Sequence, residues 1–339
     1  MNMLESNILK SNILKLNILE LVKDCRLIGI SGHENPDGDC VGSCCAMAMY
    51  LRKAMPDAEI RVYLEEFDEA LVRCIPGAES VRHDLPESGE VFDAFIALDS
   101  TPDRMGPVSH FFDSASVKIN IDHHVTNSGC GTYNYINGKA SSACELVYEL
   151  MDPDQIDAGI AQALYTGIVT DTGVFQYPST GEKTMCAAGH LMRYGFDFSA
   201  IIREVFFERT PVNARMLGTA LLKSQFLEDG RFMLCVLNRE DMAAYGAGRR
   251  DLDGISAQMV LTKGVDCAVF VHEDEPGVWR ASMRSIGIVD VARTASLLGG
   301  GGHVRAAGCT IRTSITEALG ILKKDIEEQL RSADGHELR

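Results

Sequence analysis

The chain has 339 residues, which is too long for one typical compact domain and fits two. Its formal net charge of −16 argues against wrapping long duplex nucleic acid, because a basic surface supplies most of the affinity there. No apolar stretch approaches the roughly 20 residues that span a bilayer. Glu5, Lys10 and Lys15 interrupt any secretory pattern at the N-terminus, so we expect a cytoplasmic protein that makes no membrane contact.

The first 20 residues repeat the triplet Asn-Ile-Leu at a period of five, which does not keep one helix face. We interpret them as a helical or frayed extension, with a partner-binding helix as the alternative. The eleven cysteines show no zinc-type spacing and most lie among apolar residues, so we interpret them as reduced, buried thiols.

From residue 26 onward, short apolar runs alternate with longer helical patterns, which predicts an α/β fold with a parallel sheet flanked by helices. The strands are predicted at 26–31, 60–63, 94–98 and 117–121, and the helices at 41–54, 142–150 and 156–170. A second strand–helix pattern begins near residue 231 and predicts a smaller α/β domain. The boundaries are predicted as an extension at 1–20, a first domain at 21–212, a linker helix at 213–230, a second domain at 231–332 and a tail at 333–339.

Acidic and histidine side chains follow the predicted strands of the first domain. His33, Asp37 and Asp39 follow the first strand, Asp99 follows the strand at 94–98, and the motif at 122–124 follows the strand at 117–121. In open α/β sheets, ligands bind beyond the carboxyl ends of the strands, so these groups are expected at one edge. We expect Asp37 and Asp39 on a loop, where two carboxylates can diverge, and Asp171 at a sharp turn.

The residue types in this set indicate divalent metal ions. A ligand set of mostly carboxylates and fewer imidazoles suits Mn²⁺ or Mg²⁺ better than it suits a soft metal ion that prefers thiolate ligands. Five aspartates and three histidines exceed the needs of one ion. Two ions sharing one carboxylate would use them, and such pairs assist hydrolysis of phosphate esters.

The motifs that contain these residues resemble those of the DHH phosphoesterase superfamily. They are Asp122-His123-His124, HENPDGDCVGS at 33–43, ALDS at 97–100 and TGIVTDTG at 166–173. The segment GGGGHVRAAG at 299–308 resembles the DHHA1 substrate-binding domain. The resemblance covers roughly residues 20–330. Within the superfamily, the chain is most similar to the stand-alone nanoRNase type.

The resemblance implies a role for each matching position. One Mn²⁺ ion would be held by His33, Asp37 and Asp99, and the other by Asp39, Asp99, His123 and Asp171, with Asp99 bridging. The resemblance also implies that Asp122 orients a neighbouring ligand, and that His124 faces the substrate phosphate or leaving group.

The glycine run before His303 lets backbone amides approach an anion closely. By resemblance, Gly300, Gly301, Gly302, His303 and Arg284 bind the terminal nucleotide, with the active site in a cleft between the domains. Arg305 and Arg104 are two further cations that could meet a phosphate.

The resemblance implies hydrolysis of short single-stranded RNA to nucleoside 5′-monophosphates, and of 3′-phosphoadenosine-5′-phosphate (pAp) to AMP, without duplex substrates. A homodimer is compatible with this reading. The main alternative is a phosphodiesterase of the linear dinucleotide pApA or of cyclic di-AMP. An exopolyphosphatase, a pyrophosphatase, a single-strand exonuclease and a non-catalytic nucleotide-binding regulator fit the sequence less well.

Overall fold

The structure, a computed structural model, describes residues 17–334, so most of the N-terminal repeat and of the predicted tail lies outside the described residues. The chain divides into two compact units between Glu208 and Arg209. Helix Pro211–Lys223, part of the segment expected to link the domains, packs within the second unit through Met216 and Ala220. The division therefore falls just before this helix.

The first unit is built on a five-stranded sheet in which every neighbouring pair is parallel, in the order β2-β1-β3-β4-β5. Its strands are β1 Leu27–Ser31, β2 Glu59–Tyr63, β3 Ala94–Leu98, β4 Val117–Asp122 and β5 Tyr133–Ile136. The predicted parallel α/β class is confirmed. The prediction missed β5, because its four residues alternate tyrosine with asparagine and contain no apolar run.

Helices cover both faces of this sheet. They are Ile18–Val22, Gly38–Ala54, Glu69–Cys74, Ser109–Ser114, Ala143–Leu150, Ala158–Asp171, Glu182–Leu191 and Phe198–Ile202. The larger core lies between the sheet and the two longest of them, Gly38–Ala54 and Ala158–Asp171. An aromatic cluster under helix Ser109–Ser114, with Phe95 and Phe112 at its centre, closes the other face.

The second unit contains a six-stranded mixed sheet in the order β10-β11-β9-β8-β7-β6, in which only β7 and β8 are parallel. Its strands are β6 Gln225–Leu227, β7 Phe232–Leu237, β8 Cys267–Glu275, β9 Val278–Ser285, β10 Gly301–His303 and β11 Ala306–Ile311. Its helices are Pro211–Lys223, Arg239–Ala243, Ile255–Val260, Val291–Ser296 and Ile315–Asp334. The predicted smaller α/β domain is confirmed, although half of the glycine run is a strand.

A separate hydrophobic core covers each face of this sheet. Helices Val291–Ser296 and Ile315–Asp334 pack on one face, against side chains such as Met283 and Ile311. Helices Pro211–Lys223 and Ile255–Val260 pack on the other face, against Met233 and Phe270. Among the described helices, none combines the length and the apolar character that crossing a bilayer requires.

Candidate metal centre and nucleotide-binding residues

The acidic and histidine groups lie at the carboxyl edge of the first sheet, as predicted. The strand order reverses between β1 and β3, and such a switch point opens a crevice beyond the strand ends. His33 follows β1, Asp99 follows β3, and Asp122 is the last residue of β4. The three strands are neighbours, so residues distant in sequence meet at this crevice.

Asp37 and Asp39 begin a helix, which corrects the expectation that both lie on a loop. Asp37 caps helix Gly38–Ala54 by accepting hydrogen bonds from the backbone amides of Asp39 (3.0 Å) and Cys40 (3.1 Å). Asp39 lies in the first turn, where its buried carboxylate accepts bonds from the amides of Ala143 (2.6 Å) and Cys144 (2.8 Å). The two carboxylates diverge because one caps its own helix and the other meets the start of another.

Asp171 is likewise the last residue of helix Ala158–Asp171 rather than part of a turn. The helix continues one residue beyond the predicted end, and Thr172 and Gly173 form the turn that follows it. Asp171 reaches the crevice from this helix end, with its Oδ2 atom 3.5 Å from His123 Nε2.

The potential ligand atoms fall into two sets around Asp99. His33 Nε2 lies 3.7 Å from Asp37 Oδ1 and 3.4 Å from Asp99 Oδ2. His123 Nε2 lies 3.9 Å from Asp39 Oδ2 and 3.3 Å from Asp99 Oδ1. Asp99 thus presents one carboxylate oxygen to each set.

The spacing of these atoms fits divalent cations better than direct hydrogen bonds. Asp99 Oδ1 is buried and, among the described residues, makes no hydrogen bond. Adjacent ligands of an octahedral ion with bonds of about 2.1 Å lie about 3 Å apart, close to the separations found here. His33 Nδ1 lies 2.8 Å from the Glu34 carbonyl oxygen, which leaves Nε2 available for coordination.

The charge balance of the centre also calls for cations. Burial opposes protonation of His33, but Asp37 and Asp99 outweigh it and raise the pKa of His33 to about 11. Burial likewise opposes protonation of His123, yet the surrounding carboxylates raise its pKa to about 10. Burial, with Asp99 nearby, holds the pKa of Asp39 well above its usual range. Without ions, protons must offset this concentration of carboxylates.

Asp122 holds His124 in a fixed orientation. Its Oδ1 atom lies 2.7 Å from His124 Nδ1, and its Oδ2 atom accepts a bond of 2.6 Å from Asn127. His124 Nε2 lies 3.2 Å from an Arg104 guanidinium nitrogen, which can only donate. Nε2 is therefore the acceptor, and the proton of a neutral His124 lies on Nδ1, facing Asp122.

Several supporting residues were not found from the sequence. Asn127 is bound by the side-chain oxygen of Asn120, a buried residue of β4. The one sequence signal for Asn120 is that it is a polar residue inside the largely buried strand sequence VKINID. The amides of Ala143 and Cys144 carried no signal, because their role depends on a helix more than a hundred residues from Asp39.

In the second unit, the predicted nucleotide-binding residues lie on one face of the sheet. His303 pairs with Ala306, and Ala306 pairs with Arg284. Directly paired residues of antiparallel strands project to the same face, so His303 and Arg284 point the same way. Arg305 turns elsewhere and contacts Ser285 Oγ at 3.3 Å.

The three predicted glycines differ in why they lack a side chain. A Cβ atom at Gly300 would lie 2.3 Å from the Gly308 carbonyl oxygen, and one at Gly302 would lie 2.5 Å from that of Ala306. Close packing of the hairpin therefore requires glycine at both positions. At Gly301 a Cβ atom would meet nothing within 4 Å, so the fold leaves this position free for a ligand to approach the backbone.

Comparison with known proteins agrees with both halves of this description. Residues 27–168 match the model of the DHH family, N-terminal domain, and residues 240–332 match the DHHA1 domain. The bifunctional oligoribonuclease and PAP phosphatase NrnA of Thermus thermophilus is 30% identical over 312 residues, which cover 90% of this chain and 91% of the relative. The cyclic-di-AMP phosphodiesterase PdeA of Listeria monocytogenes is 25% identical over 93% of this chain but only 48% of that relative.

A solved structure shares the fold over most of the chain. The crystal structure of an exopolyphosphatase-related protein from Bacteroides fragilis superposes with a TM-score of 0.82 and 25% identity, covering 92% of this chain and 94% of the other. The resemblance predicted from the motifs is confirmed. The chain belongs to the DHH family of metal-dependent phosphoesterases and contains both its N-terminal domain and a DHHA1 domain.

Proposed function

We propose that this protein hydrolyses short RNA oligonucleotides to nucleoside 5′-monophosphates and pAp to AMP, with two Mn²⁺ ions in its first domain. The observation that supports the two-ion reading most directly is Asp99, which presents one carboxylate oxygen to each ligand set. Mg²⁺ is the alternative ion, since the same oxygen and imidazole ligands suit both.

We propose His33, Asp37 and Asp99 as ligands of one ion. Asp39, Asp99, His123 and Asp171 would hold the other. When bound there, two divalent cations would polarise the phosphoryl group and activate a water molecule as the nucleophile. The protein keeps both imidazole Nε2 atoms directed at the carboxylates and excludes bulk water from Asp39 and Asp99, which are buried.

His124 and Arg104 are the residues we propose for the substrate phosphate. When His124 is neutral, with its proton on the side of Asp122, its Nε2 atom accepts from Arg104 and positions that side chain. Protonated on both nitrogens, His124 would instead face the leaving group as an acid. The Arg104 backbone is fixed by a bond from the Glu34 amide to its carbonyl oxygen (2.7 Å). A guanidinium held in this way is suited to contact phosphate oxygens.

Binding of the terminal nucleotide is proposed for Gly300, Gly301, Gly302, His303 and Arg284. Gly301 would offer its unhindered backbone, while Gly300 and Gly302 shape the hairpin. The net charge of −16 supports short single strands over duplexes as substrates. Cytoplasmic location and a homodimeric state remain predictions.

The decisive experiment compares Mn²⁺-dependent hydrolysis of RNA of about two to five nucleotides, pAp, pApA, cyclic di-AMP and polyphosphate. We expect the short RNA and pAp to give the highest kcat/KM values. A much higher value for cyclic di-AMP would favour the activity named for the Listeria relative. A preparation that binds no Mn²⁺ and hydrolyses none of the five would overturn the proposal.

A further inference from the structure

The second unit has a pocket of about 570 Å³ beside the residues proposed for the terminal nucleotide. The buried side chains of Leu252 and Phe270 are among its lining residues. Its rim is basic and includes Arg249, Arg280 and Arg312. All of its lining residues belong to the second unit.

The strand register relates this pocket to His303 and Arg284. Ser282 pairs with Gly308 and Phe270, and Gly308 pairs with Gly301, so these residues form the next row on the same face. A third row contains Thr310, Arg280 and His272. Each row is two residues further along its strand, so the third row lies about 13 Å from His303 and Arg284.

The His272 side chain is an independent sign of a missing ligand. It lines the pocket, it is only 6% exposed, and neither ring nitrogen has a hydrogen-bond partner among the described residues. Buried polar groups are almost always paired, so an imidazole with two free nitrogens indicates a group that binds there. A neutral imidazole offers one donor and one acceptor, which suits a base edge or a ribose hydroxyl.

The charged side chains at the rim of the pocket indicate the charge of its ligand. The chain is strongly acidic, yet three arginines converge here. Asp274 pairs with Arg280 at 2.5 Å, and Asp253 is the one acidic residue among the lining residues. Arg249 and Arg312 are exposed at the rim, where each can contact an anion.

We propose that this pocket is a second nucleotide subsite, which binds the base and phosphate of the nucleotide adjacent to the one at His303. The base lies beside Leu252 and Phe270, His272 contacts the base edge or the ribose, and Arg249 and Arg312 bind the phosphate. This inference rests on the proposed function, and it names a feature that would contact an oligonucleotide substrate and not pAp.

The test is the ratio of kcat/KM for a 5′-phosphorylated RNA trinucleotide to kcat/KM for pAp, measured on the Mn²⁺-loaded full chain. In the double variant Arg249→Gln/Arg312→Gln we expect this ratio to fall about tenfold, the loss that removal of a charge-assisted phosphate contact produces. The matched control is Arg250→Gln/Lys263→Gln, which removes the same charge from exposed positions of the same unit outside the pocket. The control should keep the wild-type ratio.

A second measurement does not require turnover. NMR of histidine-labelled full chain should show the His272 signals, assigned with His272→Gln, shifting when AMP is added, and this shift should weaken in the double variant. An unchanged kinetic ratio, or an AMP titration without effect on His272, would overturn the subsite. A wild-type protein that hydrolyses neither substrate but whose His272 responds to AMP would instead overturn the proposed function and leave the subsite standing.

Discussion

Asp99 combines an uncommon backbone conformation with the central position in the candidate metal site. Its φ is +54°, in the left-handed region that residues other than glycine, asparagine and aspartate rarely adopt. Its amide donates to the Ile121 carbonyl oxygen at 3.0 Å, which fixes this conformation at the end of β3. Uncommon backbone conformations are concentrated at functional sites, and this one places the Asp99 carboxylate between the two ligand sets.

The first prediction concerns Asp99→Asn. Asparagine tolerates the same backbone conformation, so the fold should persist. The loss of the negative charge should remove at least one ion per chain. It should also reduce kcat by at least about a hundredfold, as the loss of a central catalytic group does. Metal content by mass spectrometry and steady-state kinetics check it. Asp103→Asn, an exposed neighbour, is the control. Full metal content with normal turnover would exclude the bridging role.

The second prediction concerns protons. In the metal-free protein the pKa values of His33 and His123 are raised from 6.5 to about 11 and about 10, so both imidazoles hold protons at pH 7 to 8. A coordinated imidazole is neutral, so Mn²⁺ binding must release these protons, and the affinity for Mn²⁺ must rise with pH across this range. Calorimetric titrations in buffers of different ionisation enthalpy should show at least about two protons released, from the two imidazoles, and more if Asp39 also holds a proton. His33→Gln should release about one fewer, and a pH-independent affinity would contradict the argument.

At the residue scale, the sequence predicted which acidic and histidine side chains come together, because ligand chemistry is local. Aspartate and histidine at strand ends have few structural uses in that number, and the eight predicted side chains of the first domain do converge. Asn120, Asn127 and the contact between Arg104 and His124 were missed, because each depends on a tertiary contact.

At the scale of elements, the centre depends on how closely two helices approach. A Cβ atom at Gly42 of helix Gly38–Ala54 would lie 2.7 Å from the Ala163 carbonyl oxygen of helix Ala158–Asp171. A Cβ atom at Gly167 would lie 2.3 Å from Cys144 Sγ and 3.1 Å from Asp39 Oδ1. Glycine at these positions brings the helices that hold Asp39 and Asp171 together.

The third prediction is that Gly42→Ala lowers the free energy of unfolding by about 1–3 kcal/mol, because the added methyl group meets backbone atoms that cannot move aside. Gly189→Ala is the matched control. Gly189 also lies inside a helix, Glu182–Leu191, but a Cβ atom there would meet nothing within 4 Å, so alanine should be neutral or stabilising by up to about 1 kcal/mol. Urea unfolding curves of both variants measure the difference. Equal stabilities would show that the helix contact tolerates a methyl group.

The elements themselves were predictable to different degrees. Strands with continuous apolar runs, such as Ala94–Leu98, were located to the residue. The helix after β1 begins three residues before its predicted start, because the Pro-Asp-Gly-Asp segment reads as a turn when Asp37 is in fact a helix cap. The strand Gly301–His303 has no apolar pattern and is defined only by pairing with β11.

At the scale of the whole molecule, the fourth prediction is that duplex RNA does not compete with short single strands. The chain has a net charge of −16, and the arginine cluster at the pocket of the second unit is a local exception to this acidic character. For single strands the logarithm of affinity falls with the logarithm of salt by about 0.7 for each phosphate contacted, so two contacts give a slope of about −1.4. Inhibition assays with trinucleotide and duplex competitors at several salt concentrations test this. A steeper slope with strong duplex inhibition would indicate an extended basic surface.

The amides that bind Asp39 have one further consequence, for the opening of the first unit. Ala143 and Cys144 can protect their amide hydrogens from solvent through Asp39 only while helix Ala143–Leu150 stays docked. Their hydrogen-exchange rates therefore report local unfolding at the metal centre, separately from unfolding of the whole unit. Ions that bind only the closed form would slow exchange at these two amides, so the protein contains its own probe of metal occupancy.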